Sequence, residues 1–284
     1  MLTRFLWPLA VFAPLVVPQA LGAAEPPQRI VSINLCADEL LLTLADPAQI
    51  AGLSTYATDP VMSFTAEQAK AFRHDVAEAE QVVELDPDLV LAGRFTKRAT
   101  REMLTRLGYR IVLLDAVKSV DESVAQIRTI AALVGHPERG EALAADIEAA
   151  RQRAATAGMT AAERPTAAVY QRRGYVSGGD TLAGELLSIA GFANGGGALA
   201  GERGGFVPLE RIVADPPDFI VVASASRRAE DQGSALLAHP ALADLYPPGR
   251  RIVLPERLTV CGGPSLPAAL DWLTSEARRV RPTP

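Results

Sequence analysis

Arg94, Arg172, Arg173 and Arg257 fall in short polar segments of this chain, in the company of Tyr56, Phe95 and Tyr175. Guanidinium forks pair with carboxylates or phosphates, so such a group suits a small anionic ligand. Acid–base chemistry has fewer candidates. Asp38 beside Glu39, and Glu256 set against Asp38 across a cleft, are the carboxylate pairings on offer. No Gly-x-Ser-x-Gly elbow accompanies them, and no histidine lies in the same segments. His74, His136 and His239 lack metal-ligand spacing and read as solvated helix-end residues, so no metal site is expected. Cys36 and Cys261 allow two readings besides that of a pair of unbonded, inert thiols. One is a disulfide tying the terminal segment to the first half of the chain; the other is a pair of cleft thiols touching the ligand or a soft metal.

Two further acids stand out by their context. Glu80–Ala92 (EQVVELDPDLVLA) and Glu210–Val222 (ERIVADPPDFIVV) match in kind, position by position, at an offset of 130 residues (Glu80 to Glu210). Each has a helical turn carrying a Glu, an Asp/Pro stop, an Asp and an apolar run. Pro87 and Pro217 cannot continue a helix and push the preceding residue to extended geometry. The runs after them have no alternation, as in strands buried on both faces of a parallel sheet. One architectural unit therefore occurs twice, and matched carboxylates at Glu80 and Glu210 suit docking onto a two-fold symmetric partner.

The elements that must position these residues alternate between strand and helix. In the first half, Arg29–Ile33, Ile50–Leu53, Leu89–Ala92 and Arg110–Leu114 read as strands. In the second, Thr166–Tyr170, Phe219–Ala223 and Arg251–Leu254 do. Between them, Ser119–Ala157 is helical, broken at Leu133–Pro137, and the piece from Pro137 spans roughly 30 Å. The expected fold class is α/β: two lobes with mostly parallel sheets (25–118 and 161–284) joined by spine helices over 119–160, of which one is long and rigid. Ligands of open α/β sheets bind beyond the carboxyl ends of the strands. That rule selects Asn34–Asp38, Ser54–Asp59, Gly93–Thr96, Gln171–Gly179, Ser224–Arg228 and Glu256–Ser265, the segments holding the residues named above. Gly195–Gly197 and Gly201–Gly205 follow no strand directly and precede no Lys-Ser/Thr, so they read as a mobile loop at the cleft mouth.

Residues 1–24 carry Arg4, an apolar stretch Phe5–Val17 and small residues up to Ala24, the parts of a secretory signal. A soluble, exported protein is expected. The chain has 28 Lys and Arg against 33 Asp and Glu, a net charge of −5, and loss of Arg4 makes it one unit more negative. Such a balance supplies no basic stripe for nucleic acid.

The start RIVSINLCADELLL, both Pro-Asp strands, the spine helix and SGGDTLAGELLSIAG together resemble the periplasmic binding proteins of iron-siderophore, haem and vitamin B12 ABC importers. The resemblance covers nearly the whole chain after residue 24. It implies a monomeric receptor that delivers a metal chelate to an importer's permease dimer, with no covalently bound cofactor. It also implies that Glu80 and Glu210 pair with arginines on the two permease subunits, and that Phe206 falls where an aromatic side chain cradles a corrin in B12-binding members. The alternative is an exported enzyme or a ligand-sensing receptor module on the same fold.

Overall fold

The computed structural model describes residues 25–155, 164–223 and 239–280. The leader 1–24, the loop 224–228 and the end of the spine segment lie outside them. Ile30–Ser32 (β1), Ile50–Gly52 (β2), Leu89–Gly93 (β3) and Ile111–Leu114 (β4) form an all-parallel sheet in the order β2-β1-β3-β4. Thr166–Val169 (β5), Ala193–Asn194 (β7), Phe219–Ala223 (β9) and Arg251–Leu254 (β10) form a second parallel sheet, ordered β7-β5-β9-β10. Rank for rank the two orders are the same. Tyr175–Val176 (β6) and Gly205–Phe206 (β8) add a short antiparallel ribbon to the second lobe.

The duplicated Pro-Asp motif has a visible local purpose. Asp88 accepts hydrogen bonds from the N–H groups of Gln28 (2.6 Å) and Arg29 (3.1 Å), at the entrance to β1. Asp218, 130 residues on, accepts from the Thr166 N–H and hydroxyl, both at 2.8 Å, at the entrance to β5. Each Asp thus fastens the first strand of its sheet to the central strand beside it.

Helices Leu35–Leu44 (α1), Ala66–Ala69 (α2), Ala79–Leu85 (α3) and Arg98–Arg106 (α4) complete the first lobe. Asn34 caps α1 by accepting from the Ala37 N–H, and Gly108 (φ 87°) supplies the left-handed residue beyond α4. Val120–Leu133 (α5) and Pro137–Ala155 (α6) are the spine region. The ion pairs Arg128–Glu141 and Arg151–Asp121 fix these two helices as an antiparallel hairpin, turned at Gly135 (φ 90°). The second lobe carries Leu182–Ala190 (α7), Gly195–Ala200 (α8), Leu209–Ala214 (α9), Pro240–Leu245 (α10) and Leu266–Arg279 (α11).

The long helix does not stand alone between the lobes. It packs on α5, α7 and α11 and touches α1. One continuous apolar core therefore runs from Ile30, Leu40 and Leu91 through Ile127, Leu143 and Ile147 to Val169, Leu186, Val221, Ile252 and Leu270.

The glycine-rich segment departs from expectation. It is not an open loop: Gly195–Ala200 is helical, with Gly195 and Gly196 buried. A β-carbon on Gly196 would lie 2.0 Å from the Ser177 carbonyl oxygen, and one on Gly178 2.2 Å from those of Gly201 and Glu202. Glycine is needed here for close backbone approach.

Candidate functional site

The candidate site lies in the segments beyond the carboxyl ends of both sheets, where an open α/β sheet takes its ligand. In the first lobe the segment after β2 begins at Ser54 and carries Tyr56, which is 52% exposed, and Asp59. The segment after β3 presents Arg94 and Phe95, the latter 87% exposed. Gly93 makes room there for the Asn34 side chain, which a β-carbon would meet at 2.6 Å, so the cap of α1 and the end of β3 are packed together.

In the second lobe the chain leaves β5 through a tight turn, Arg172–Gly174, into the ribbon. Arg173 sits in the left-handed region at φ 62°. Tyr175 packs edge-on against Phe206, with ring centroids 5.5 Å apart at 77°, and its hydroxyl donates to the Arg203 carbonyl at 3.3 Å. Phe206 remains 72% exposed. Arg257 follows β10 in another tight turn and is exposed.

The charges here are partly balanced already. Arg94 pairs with Asp115, whose carboxyl it holds below the usual range. Lys97, three residues on, pairs with Glu78 and also feels Tyr56. Burial raises the Glu256 carboxyl, against the Arg172 guanidinium, while Asp59 of the first lobe adds to the rise. Asp59, Arg172 and Glu256 are thus electrostatically coupled across the lobes, a grouping the sequence did not reveal. Lys97 could have been found, since it closes the same strand-end segment as Arg94 and Phe95. Arg173 and Arg257 form no ion pair among the described residues.

Cys36 and Cys261 are joined in a disulfide, with Cα atoms 5.3 Å apart, which settles the choice against free thiols. The bond ties the first turn of α1 to the segment after β10. Two of the three acids considered for acid–base work lie in the core, whereas Glu256 keeps its place in the segment after β10. Asp38 and Glu39 are fully buried on α1. Asp38 is occupied by Ser54 instead of facing Glu256. Helix α1 is apolar nearly all round, so its acids are carried into the core with its leucines. Two histidines lie at helix ends, His239 capping α10 and His136 at the α5–α6 turn near Asp46 and Glu138, while exposed His74 sits in the irregular segment between α2 and α3 and bonds the Phe72 carbonyl. Among the described residues no three His, Cys, Asp or Glu side chains converge on a metal-sized site.

Glu80 and Glu210 occupy the first turns of α3 and α9. Both are exposed, one on each lobe, and neither forms an ion pair among the described residues.

A family model described as "Periplasmic binding protein" matches residues 30–250. The chain belongs to the periplasmic binding protein family. The cobalamin-binding protein of Halobacterium salinarum is 28% identical over 235 residues, which cover 79% of this chain and 63% of that protein. This chain therefore spans less than two thirds of that relative's length. Among solved structures, the periplasmic heme-binding protein RhuT from Roseiflexus sp. RS-1, in apo form, superposes with a TM-score of 0.70 at 25% identity, covering 89% of this chain and 97% of that one. A periplasmic heme-binding protein from Pseudomonas aeruginosa gives 0.70 at 26% identity, covering 90% and 94%. These relatives are binding proteins, and among the described residues no helix is long and apolar enough to cross a membrane.

Proposed function

We propose that this chain is an exported receptor that binds a flat metal chelate of the tetrapyrrole class, haem or a corrinoid, and delivers it to an ABC importer. The carrying observation is the pair Phe95 and Phe206, one on each lobe and each largely bare of protein contact. A planar macrocycle covers such rings, and burying one large apolar side chain is worth about 1.5–3 kcal/mol. Tyr56 offers a phenol to a central metal, while Arg173 and Arg257 meet acidic substituents. The names of the relatives support the ligand class. Residues 1–24 act as the export signal in this reading, and Glu80 and Glu210 dock the two permease subunits.

The test is a visible-band titration of the protein lacking residues 1–24 with haemin and with cyanocobalamin. One of them is expected to bind, with Phe95→Ala and Phe206→Ala each weakening binding tenfold or more, about 1.4 kcal/mol. Failure of both chelates to bind, or wild-type affinity in both variants, would defeat the ligand assignment. Glu80→Ala with Glu210→Ala is expected to leave binding intact and lower uptake in cells. Normal uptake at limiting receptor would remove the docking role.

A further inference from the structure

We infer that Asp38 and Glu39 are positioning residues for the ligand cleft, clamping the two ends of the 54–64 segment that carries Tyr56 and Asp59 and loosening it as they ionise. The inference rests on the reading of that segment as part of the ligand site. Its basis is geometric. Neighbouring residues on a helix do not face the same way, so Asp38 and Glu39 can reach different ends of one loop. Asp38 accepts from the Ser54 N–H at 3.0 Å and from the Ser54 hydroxyl at 2.5 Å. That hydroxyl oxygen in turn accepts from the Tyr56 N–H at 3.3 Å, which links the buried carboxylate to the backbone of the exposed phenol. Glu39 accepts from the Phe64 N–H at 2.8 Å through Oε1. Between these anchors the segment is folded on itself, with Ala57 N–H on the Ser54 carbonyl, Asp59 on Tyr56 and Ser63 on Asp59. It is held from below at both ends and closed within, so it moves as one piece.

The clamp is unusual in what it lacks. Glu39 Oε2 is buried with no hydrogen-bond partner among the described residues. Among the described residues no cation bears on either acid: Ser32 of β1 and Ser54 and Phe64 of the loop face them, and the charged neighbour of Glu39 is Asp38 itself. Burial pushes Asp38 up to about 7, against hydrogen bonds from Ser32 and Ser54. Glu39 is pushed to about 7 by burial, with the Asp38 charge adding to the rise and the Phe64 N–H opposing it. A loop lifted off α1 would return both groups to water, where carboxyls titrate near 4. Between about pH 4 and pH 7 the closed form then holds more protons than the open one. Closure is favoured on the acid side, weakens as pH rises toward 7, and changes no further above it.

Hydrogen–deuterium exchange of the ligand-free protein, corrected for intrinsic rates, reads this directly. Protection of amides in 54–64 is expected to fall up to about tenfold per pH unit for each proton released between pH 5 and 7, then level off. The central strand of the second sheet, 219–223, serves as the internal reference. Glu39→Gln, a neutral isostere, should make the slope shallower, leaving the part due to Asp38. A flat wild-type profile relative to 219–223, or an unchanged slope in Glu39→Gln, overturns the clamp. Should Glu39→Gln fail to fold, Ser54→Ala leaves both carboxylates in place and is expected to expose residues 55–57 at every pH. Wild-type protection of 55–57 in that variant also overturns it. Ser54→Ala should further weaken haemin binding at least threefold; unchanged affinity removes the positioning role even if the pH slope is found. A wild-type protein that binds neither haemin nor cyanocobalamin defeats the proposed ligand class, whereas the exchange profile judges the clamp separately.

Discussion

The 54–64 segment of the first lobe and the glycine-rich ribbon region of the second follow strands of two sheets that share one strand order, yet they are held by opposite means. The first hangs on side chains, the Asp38 and Glu39 carboxylates reaching up from α1. The second is held by backbone laid on backbone: Gly178, Gly196 and Gly204 each sit where a β-carbon would come within 2.6 Å of a carbonyl oxygen. A side-chain anchor can respond to protons. A backbone contact has nothing to titrate, and it tolerates no added atom. Duplication preserved the strand order and the Asp88/Asp218 fastening, and left the means of holding the cleft free to diverge.

The largest expected effect comes from the bond that joins the two regimes. Cys36→Ser with Cys261→Ser opens a link spanning 225 residues of sequence and should cost about 2–5 kcal/mol in denaturant unfolding. A single transition should survive, because the core is continuous between the lobes. Two separated transitions, followed by circular dichroism and Trp272 fluorescence, would show that the halves cohere through the disulfide alone. Next comes the contrast itself. Gly196→Ala should lose about 1–3 kcal/mol, since the new methyl meets the Ser177 carbonyl, and the loss should be independent of pH. A pH-dependent loss there would erase the distinction between the lobes. The smallest effect probes what the halves share. Asp88→Ala and Asp218→Ala should each cost about 1 kcal/mol, the usual net contribution of such hydrogen bonds. Losses differing by more than about twofold would mean that the repeated Asp does unequal work in the two sheets.

Much of this was legible in the chain. Apolar runs behind Pro87 and Pro217 marked the central strands, and the offset of 130 marked the duplication, because strand burial and proline geometry are local properties. The resemblance to periplasmic binding proteins carried the family, which the match over residues 30–250 upholds. The glycines were harder to place. A glycine in a flexible loop and a glycine squeezed against a carbonyl look identical in sequence, and the difference lies in what folds against them. Asp38 and Glu39 were misplaced for a related reason: their pairing suggested chemistry, while the ring of leucines around them, Leu35 and Leu40 to Leu42, was the signal that the whole helix is buried. The electrostatic influence of Asp59 on Glu256 couples residues almost two hundred positions apart, which no local pattern reports.

The unbroken core through α6, α7 and α11 has a consequence for traffic through the cleft. Swinging the lobes apart would draw residues such as Ile127, Leu143, Leu186 and Leu270 toward water, each at roughly 1.5–3 kcal/mol if fully uncovered. That exceeds what a ligand contact or two returns. The molecule is therefore a mould whose halves are already set, and under the proposed function a ligand meets a shape made in advance, with little reorganisation to pay for on arrival. Under that proposal residence time falls to the few side chains at the rim, and a change of ligand needs only those side chains to be rewritten.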